Sequence, residues 1–264
     1  MSLVTLTSAA GAPGVTTTAL ALALAWPRPV VLVEADPVGG SALSAGYLGG
    51  RIPHHRGLLD LVVAHRQNRL LEALTEVMVD LPDTSVHLIP GARSNAQAAT
   101  ITTVMEPLTT ALKALERDGV DVIVDAGRLG MQHYPTPLRD RADLTLLLMR
   151  TTRVAVAAAR GWTTTLRTEF EASGSIDNVA ALLVGEGRPH TEQQVAKVID
   201  LPIAASLAWD PVSAEVYHLG ATPRRRFDTA PLPRSIAAAV SALDAKLEAN
   251  KTRLDVAASS LEGA

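Results

Sequence analysis

The sequence has no cysteine in 264 residues. That excludes a disulfide framework, thiolate metal sites and a cysteine nucleophile, and it fits a cytoplasmic protein. Aromatic residues make up only 3%, so the core has to be built from Ala, Val and Leu. The 47% hydrophobic content supplies enough of them. No apolar run reaches the ~20 residues of a membrane span, and the first residues carry no basic segment followed by an apolar one. Positive charge is not in excess either. The formal net charge is −3, so any contact with nucleic acid needs a local patch. Gly/Ser or Pro-rich linkers and internal repeats are also missing. The length suits one α/β domain over residues 1–250, followed by a loosely ordered tail over 251–264.

What is present is an alternation of short β-branched runs with longer helical patterns. Strands are expected near 2–7, 30–34, 85–89, 120–125, 143–149, 178–184 and 203–207. Helices are expected over 16–25, 57–79 (broken near Asn68), 95–117, 152–171, 191–199, 211–219 and 234–250. VVLV (30–33) and LTLLLM (144–149) are continuous apolar runs, which suit strands buried on both faces of a parallel sheet. Strand–helix alternation with right-handed crossovers predicts a doubly wound, mainly parallel sheet with helices on both faces. Ile236, Val240, Leu243 and Leu247 recur at helical spacing in the last helix. Asp244, Lys246 and Glu248 balance their charges beside them, so this helix reads as closing the core rather than lying on a membrane.

Three segments carry chemistry. SAAGAPGVTTT (8–18) follows an apolar strand and opens a helix, the setting in which a Gly-rich turn and a helix N-terminus converge on phosphate. A phosphate loop needs Gly-Lys-Ser/Thr, and here the lysine position is Val15. EADPVGGS (34–41) ends the second strand with Glu34 and Asp36 at alternate positions, which predicts both carboxylates on one side, beside the loop, where one orients water or holds a Mg²⁺-bound water. VDVIVDAG (120–127) is an apolar strand ending in Asp125, as a Walker B carboxylate requires. His54-His55-Arg56 lacks further ligands at metal spacing and reads as a loop. Arg224-Arg225-Arg226 is the one dense basic run, suited to DNA phosphates, to an acidic partner, or to plain solvation. Ser, His and Asp occur without a nucleophile-elbow context.

In order and spacing these segments resemble the ParA/MinD superfamily of deviant-Walker ATPases, over about residues 2–250. The family's K-G-G-x-G-K-T-T stands here as A-G-A-P-G-V-T-T (10–17), and its D-x-D-P-x-G as E-A-D-P-V-G (34–39). VGEGRP (184–189) resembles the stretch where a base-contacting Asn precedes R-x-R-P, with Gly185 in the Asn place. LPIAASLAWDP (201–211) and HLGATPRRR (218–226) resemble the segments that follow. The resemblance implies a P-loop fold and ATP with Mg²⁺ held between two subunits, the cycle positioning cargo on DNA, membranes or a pole. Residue by residue it assigns the loop to Gly11, Gly14, Val15, Thr16 and Thr17. Thr16 stands on the Mg²⁺ side with Asp125, Thr17 donates to phosphate, Asp36 positions the attacking water, and Glu34 is its upstream partner.

Against that pattern, the signature lysine that reaches the partner's phosphates is Ala10, the loop lysine is Val15, the base-reading Asn is Gly185, and Pro13 removes one N–H. A hydrogen bond to a charged partner is worth roughly 1.5–3 kcal/mol, so losing two lysines takes a micromolar site towards roughly millimolar. Catalysis suffers more, because charge on the transferred phosphoryl lacks its cations. Arg128, Arg150 and Arg153 are the arginines within reach of substituting.

The expectation is a degenerate, hydrolysis-deficient member with weak or absent ATP/Mg binding. It would form a homodimer and serve as a positioning or scaffolding partner, with the TadZ/CpaE branch of pilus and secretion machinery as the first reading. It would be cytoplasmic and recruited to a pole, a membrane-associated machine or the nucleoid. Two alternatives remain: an active ATPase of chromosome or plasmid partition, and a dimeric, non-specific DNA-binding regulator.

Overall fold

The computed structural model describes residues 2–10, 13–51 and 55–262, with side chains up to residue 253. The chain runs β1 (Leu3–Ser8), α1 (Val15–Ala25), β2 (Val30–Glu34), a π-helical turn (Leu43–Tyr47), α2 (Leu58–Arg66), α3 (Leu70–Val77), β3 (Val79–Asp80) and β4 (Val86–Ile89). It continues through α4 (Asn95–Thr102), α5 (Met105–Ala114), β5 (Asp121–Arg128), α6 (Thr136–Asp140), β6 (Leu144–Arg150) and α7 (Arg153–Ala172). The last elements are β7 (Val179–Val184), α8 (Glu192–Ala196), β8 (Ile203–Leu207), α9 (Pro211–Leu219) and α10 (Pro231–Glu262).

The strands form one sheet in the order β3-β4-β2-β5-β1-β6-β7-β8, parallel except for β3. This is the doubly wound arrangement expected from the sequence. Alternation along each strand divides the core between two faces. Val4 and Leu6 of β1, Val30 and Leu32 of β2 and Leu144, Leu146 and Leu148 of β6 pack with α1 and α10. Leu3, Val31, Val33, Val122 and Val124 face α2 to α5, and Leu147, Met149, Ala181 and Leu183 face α7.

The departures from the expected elements have local causes. Asn68 takes a left-handed conformation (φ +56°) and separates α2 from α3, as its place in the pattern suggested. The helix expected over 95–117 is two, α4 and α5. Pro107 lacks the N–H that a continuous helix would use and is accommodated in the first turn of a new one. β3 is too short for a periodic signal. The last helix begins at Pro231, a first-turn proline, and runs on to Glu262.

The edge of β5 away from the loops is fastened by a buried aspartate. Asp121 accepts from the Ser2 N–H, from Trp26 Nε1 at 2.7 Å and from Arg28 Nε at 2.7 Å. The Arg28 Nη2 reaches Asp244 of α10 at 2.6 Å. Hydrogen bonding to Asp244, joined by Asp121, holds the guanidinium above its ordinary value.

Candidate functional site at the carboxyl ends of the strands

β1, β2 and β5 lie side by side, so their carboxyl ends bring residues 8–10, 13–18, 34–41 and 125–128 to one end of the sheet. Gly14 caps α1 in a left-handed conformation (φ +92°). No side chain caps this end and no acidic residue stands in the first turn, so the Val15, Thr16 and Thr17 N–H groups form a bare helix N-terminus. Gly11 lies outside the described residues. Pro13 is buried and Ala10 half-buried.

Val15 is only 8% exposed and belongs to the apolar cluster under α1. The position that would carry the loop lysine is thus filled by packing. Thr16 turns the other way and donates its hydroxyl to Asp125 Oδ2 at 2.5 Å. The Gly127 N–H donates to Asp125 Oδ1 at 3.0 Å. Burial pushes the Asp125 carboxyl up to about 7. The negative charges of Asp36 and Glu34 add to this, and the Thr16 and Gly127 hydrogen bonds offset part of it.

Asp36 is half-buried, accepts the Val38 N–H at 2.9 Å and packs against Gly127. A Cβ on Gly127 would sit 2.3 Å from the Asp36 carboxyl carbon, and Gly127 is itself at φ +65°, so this close approach requires glycine. Glu34 is placed differently. Its buried carboxylate accepts from the Ser41 hydroxyl, from the Leu43 N–H at 3.1 Å and from the Gly91 N–H at 3.4 Å. It anchors the turn after β2 to the loop after β4. The two alternate carboxylates therefore serve different ends, since Asp36 faces β5 and Glu34 organises the backbone.

Beside the loop lies a cavity of about 370 Å³, lined mainly by apolar groups of α1, Val184, Leu207, Trp209, Ala214 and Ile236, with Gly14 and Thr17 at its rim. Gly185 adjoins it at φ +78°, and a Cβ there would begin 3.3 Å from that of Trp209. The residue in the place of the base-reading Asn takes a left-handed backbone that favours glycine, beside Trp209. The Arg150 guanidinium stacks on the Trp209 ring with Cζ 3.6 Å from the centroid. Trp209 is the site residue that sequence reasoning missed, and its position just before the DP of LPIAASLAWDP was the available signal.

Arg128 is exposed and leans on Met131 Sδ. Arg153 opens α7 and lines a groove with His190, Gln194 and Val198. Arg224, Arg225 and Arg226 are exposed on the connection between α9 and α10, apart from the phosphate loop. His54 lies outside the described residues. Among the described residues no group of three or more His, Asp or Glu side chains is arranged to hold a metal ion by itself, so a Mg²⁺ here would depend on Thr16, Asp125, water and phosphate together. The residues present fit the metal side and the base of a nucleotide, and they give its phosphates a helix N-terminus without the two lysines.

No protein-family model matches the sequence, and no curated protein matches it significantly. Solved structures do. The septum site-determining protein MinD of Pyrococcus horikoshii OT3, complexed with Mg-ADP, superposes with a TM-score of 0.69 at 18% identity, over 91% of this chain and 95% of that one. A ParA family ATPase from Chlorobium tepidum TLS gives 0.70 at 18% identity, over 90% and 98%. A putative plasmid partition protein from Borrelia burgdorferi B31, bound to AMPPNP, gives 0.65 at 13% identity, over 92% and 98%. The chain has the fold of the MinD and ParA ATPases.

Proposed function

We propose that this chain is a ParA/MinD-type positioning protein that binds ATP and Mg²⁺ weakly and hydrolyses ATP at background rate. One observation carries the reading: Thr16 donates to Asp125 and Asp36 packs against Gly127 beside them, while Val15, in the lysine place, is packed in the core. Thr16 and Asp125 would hold the Mg²⁺ side, the first-turn N–H groups of α1 and the Thr17 hydroxyl would meet phosphate, and the apolar cavity beside Trp209 would take the base. Bound Mg²⁺ would neutralise charge on the phosphates. With neither lysine, the bridging and transferred oxygens lack the two loop cations that lower the barrier in the family's mechanism.

The solved relatives bound to Mg-ADP and AMPPNP support nucleotide binding. A scaffolding role in pilus or secretion machinery is the first reading, because the TadZ/CpaE branch of the family tolerates atypical loops. Neighbouring genes separate this from partition: pilus membrane proteins and a secretion ATPase favour the first, a ParB-like adaptor the second. Because facing loops without lysines grip a shared nucleotide poorly, any homodimer should form without ATP and not respond to it, which light scattering decides. The principal test is titration calorimetry with Mg-ATP alongside phosphate release. Binding without turnover is expected. Turnover clearly above background that Asp36→Ala abolishes would make the protein an active partition-type ATPase instead.

A further inference from the structure

We propose that Arg150 is the cation of this site, its guanidinium meeting, within the same chain, the phosphates of a nucleotide whose base lies in the cavity beside Trp209. The proposal rests on the nucleotide reading above and names the group that stands in for the missing lysines.

The position follows from the strand register. β6 pairs with β1 so that Leu148 lies opposite Ser8, the last residue of β1. Arg150 ends β6 two residues later, where it pairs with Val184 of β7. Strand alternation puts Arg150 on the same face as Leu146 and Leu148, the face that carries α1. The guanidinium stacks on the ring of Trp209, and that ring lines the cavity whose rim carries Gly14 and Thr17.

Its bonding is unusual for an arginine. The Nε is buried and has no hydrogen-bond partner. Among the described residues no carboxylate pairs with Arg150, although Arg28, Arg139, Arg141 and Arg167 all find one. A buried donor without a partner is costly, and such groups mark sites where a ligand supplies the acceptor. Stacking on Trp209 holds the planar fork in place, and a guanidinium matches phosphate oxygens in a bidentate way that an ammonium does not. Neither alternative arginine is so placed: Arg128 is exposed against Met131, and Arg153 lines the groove beside α8.

The test is calorimetric titration of the full chain with Mg-ATP and with adenosine, for the wild type, Arg150→Gln and Arg150→Lys. Arg150→Gln keeps a stem and an amide against Trp209 and removes the charge. It should weaken ATP about ten- to a hundredfold and leave adenosine within about twofold. Arg150→Lys should recover part of the ATP affinity. Thermal melting without nucleotide verifies that each variant is folded. Unchanged ATP affinity in a folded Arg150→Gln overturns the proposal, and so does an equal loss for ATP and adenosine, which would make Arg150 a prop for Trp209. Failure of the wild type to bind ATP overturns the nucleotide reading itself and this inference with it.

Discussion

Thr16 donates its hydroxyl to Asp125 Oδ2 across 2.5 Å, tying the first turn of α1 to the end of β5. The carboxylate at the centre of that tie is raised to about 7 by burial, from an ordinary value of 3.8. Between those values the folded chain keeps a proton that the unfolded chain has lost, so rising pH favours unfolding. The contribution of Asp125 is therefore most favourable below about pH 4, declines to about pH 7 and is constant above. Asp125→Asn should abolish the decline and melt above the wild type at pH 8, by up to roughly 4 kcal/mol of unfolding free energy. Near pH 4 the two should converge. Thermal melts at both pH values check this, and a variant that melts below the wild type at pH 8 contradicts it.

Gly127 and Asp36 should be coupled. A Cβ on Gly127 meets the Asp36 carboxyl carbon at 2.3 Å, and φ is +65° there. Gly127→Ala should cost about 1–3 kcal/mol. Asp36→Ala removes the clash and leaves the backbone strain, so in the double variant the Gly127→Ala cost should shrink without vanishing. Urea denaturation of the four proteins gives the coupling energy, and strict additivity would dismiss the contact.

At the opposite end of β5, Asp121→Ala should destabilise by about 3–5 kcal/mol. It leaves Arg28 with Asp244 alone and orphans Trp26 Nε1 and the Ser2 N–H. Asp244→Ala, which breaks only the half-exposed arm, should cost under about 1 kcal/mol. Comparable losses for the two would show that the buried arm is not the one that matters.

If the exposed arginines 224–226 meet duplex DNA rather than an acidic protein face, binding should weaken steeply with salt. Replacing all three by Ala should flatten the log–log slope by at most about three units. Gel-shift titration at two salt concentrations measures it. Absence of binding even at low salt would assign the patch to an acidic protein face.

Much of the fold was legible because its strands are buried on both sides: runs such as Val30–Val33 and Leu144–Met149 have no charged residue to disguise them. Pro107 marks a helix start that the apolar pattern concealed, since Ala98, Ile101, Met105, Leu108 and Leu112 keep helical spacing across the break. Among the candidate site residues, Thr16 lies in the first turn of α1 after the Gly-rich turn, Asp36 lies two residues past β2, and Asp125 stands in the second half of β5, which continues to Arg128 rather than ending there as the sequence suggested. The contacts of Glu34 were not legible, because its partners Ser41, Leu43 and Gly91 arrive by loops whose paths no periodicity records. The Arg150–Trp209 stack joins the ends of β6 and of the segment after β8, strands that do not pair with each other. A contact of that kind leaves no local trace in a sequence.

β5 carries a buried aspartate near each end, and the two are opposites. Asp121 meets a guanidinium and an indole N–H, while Asp125, four positions on, meets a hydroxyl and a backbone amide with two other carboxylates close by. Selection for stability alone would hold the first and discard the second. Random substitution should therefore yield unfolded protein at one end of this strand and sturdier protein at the other.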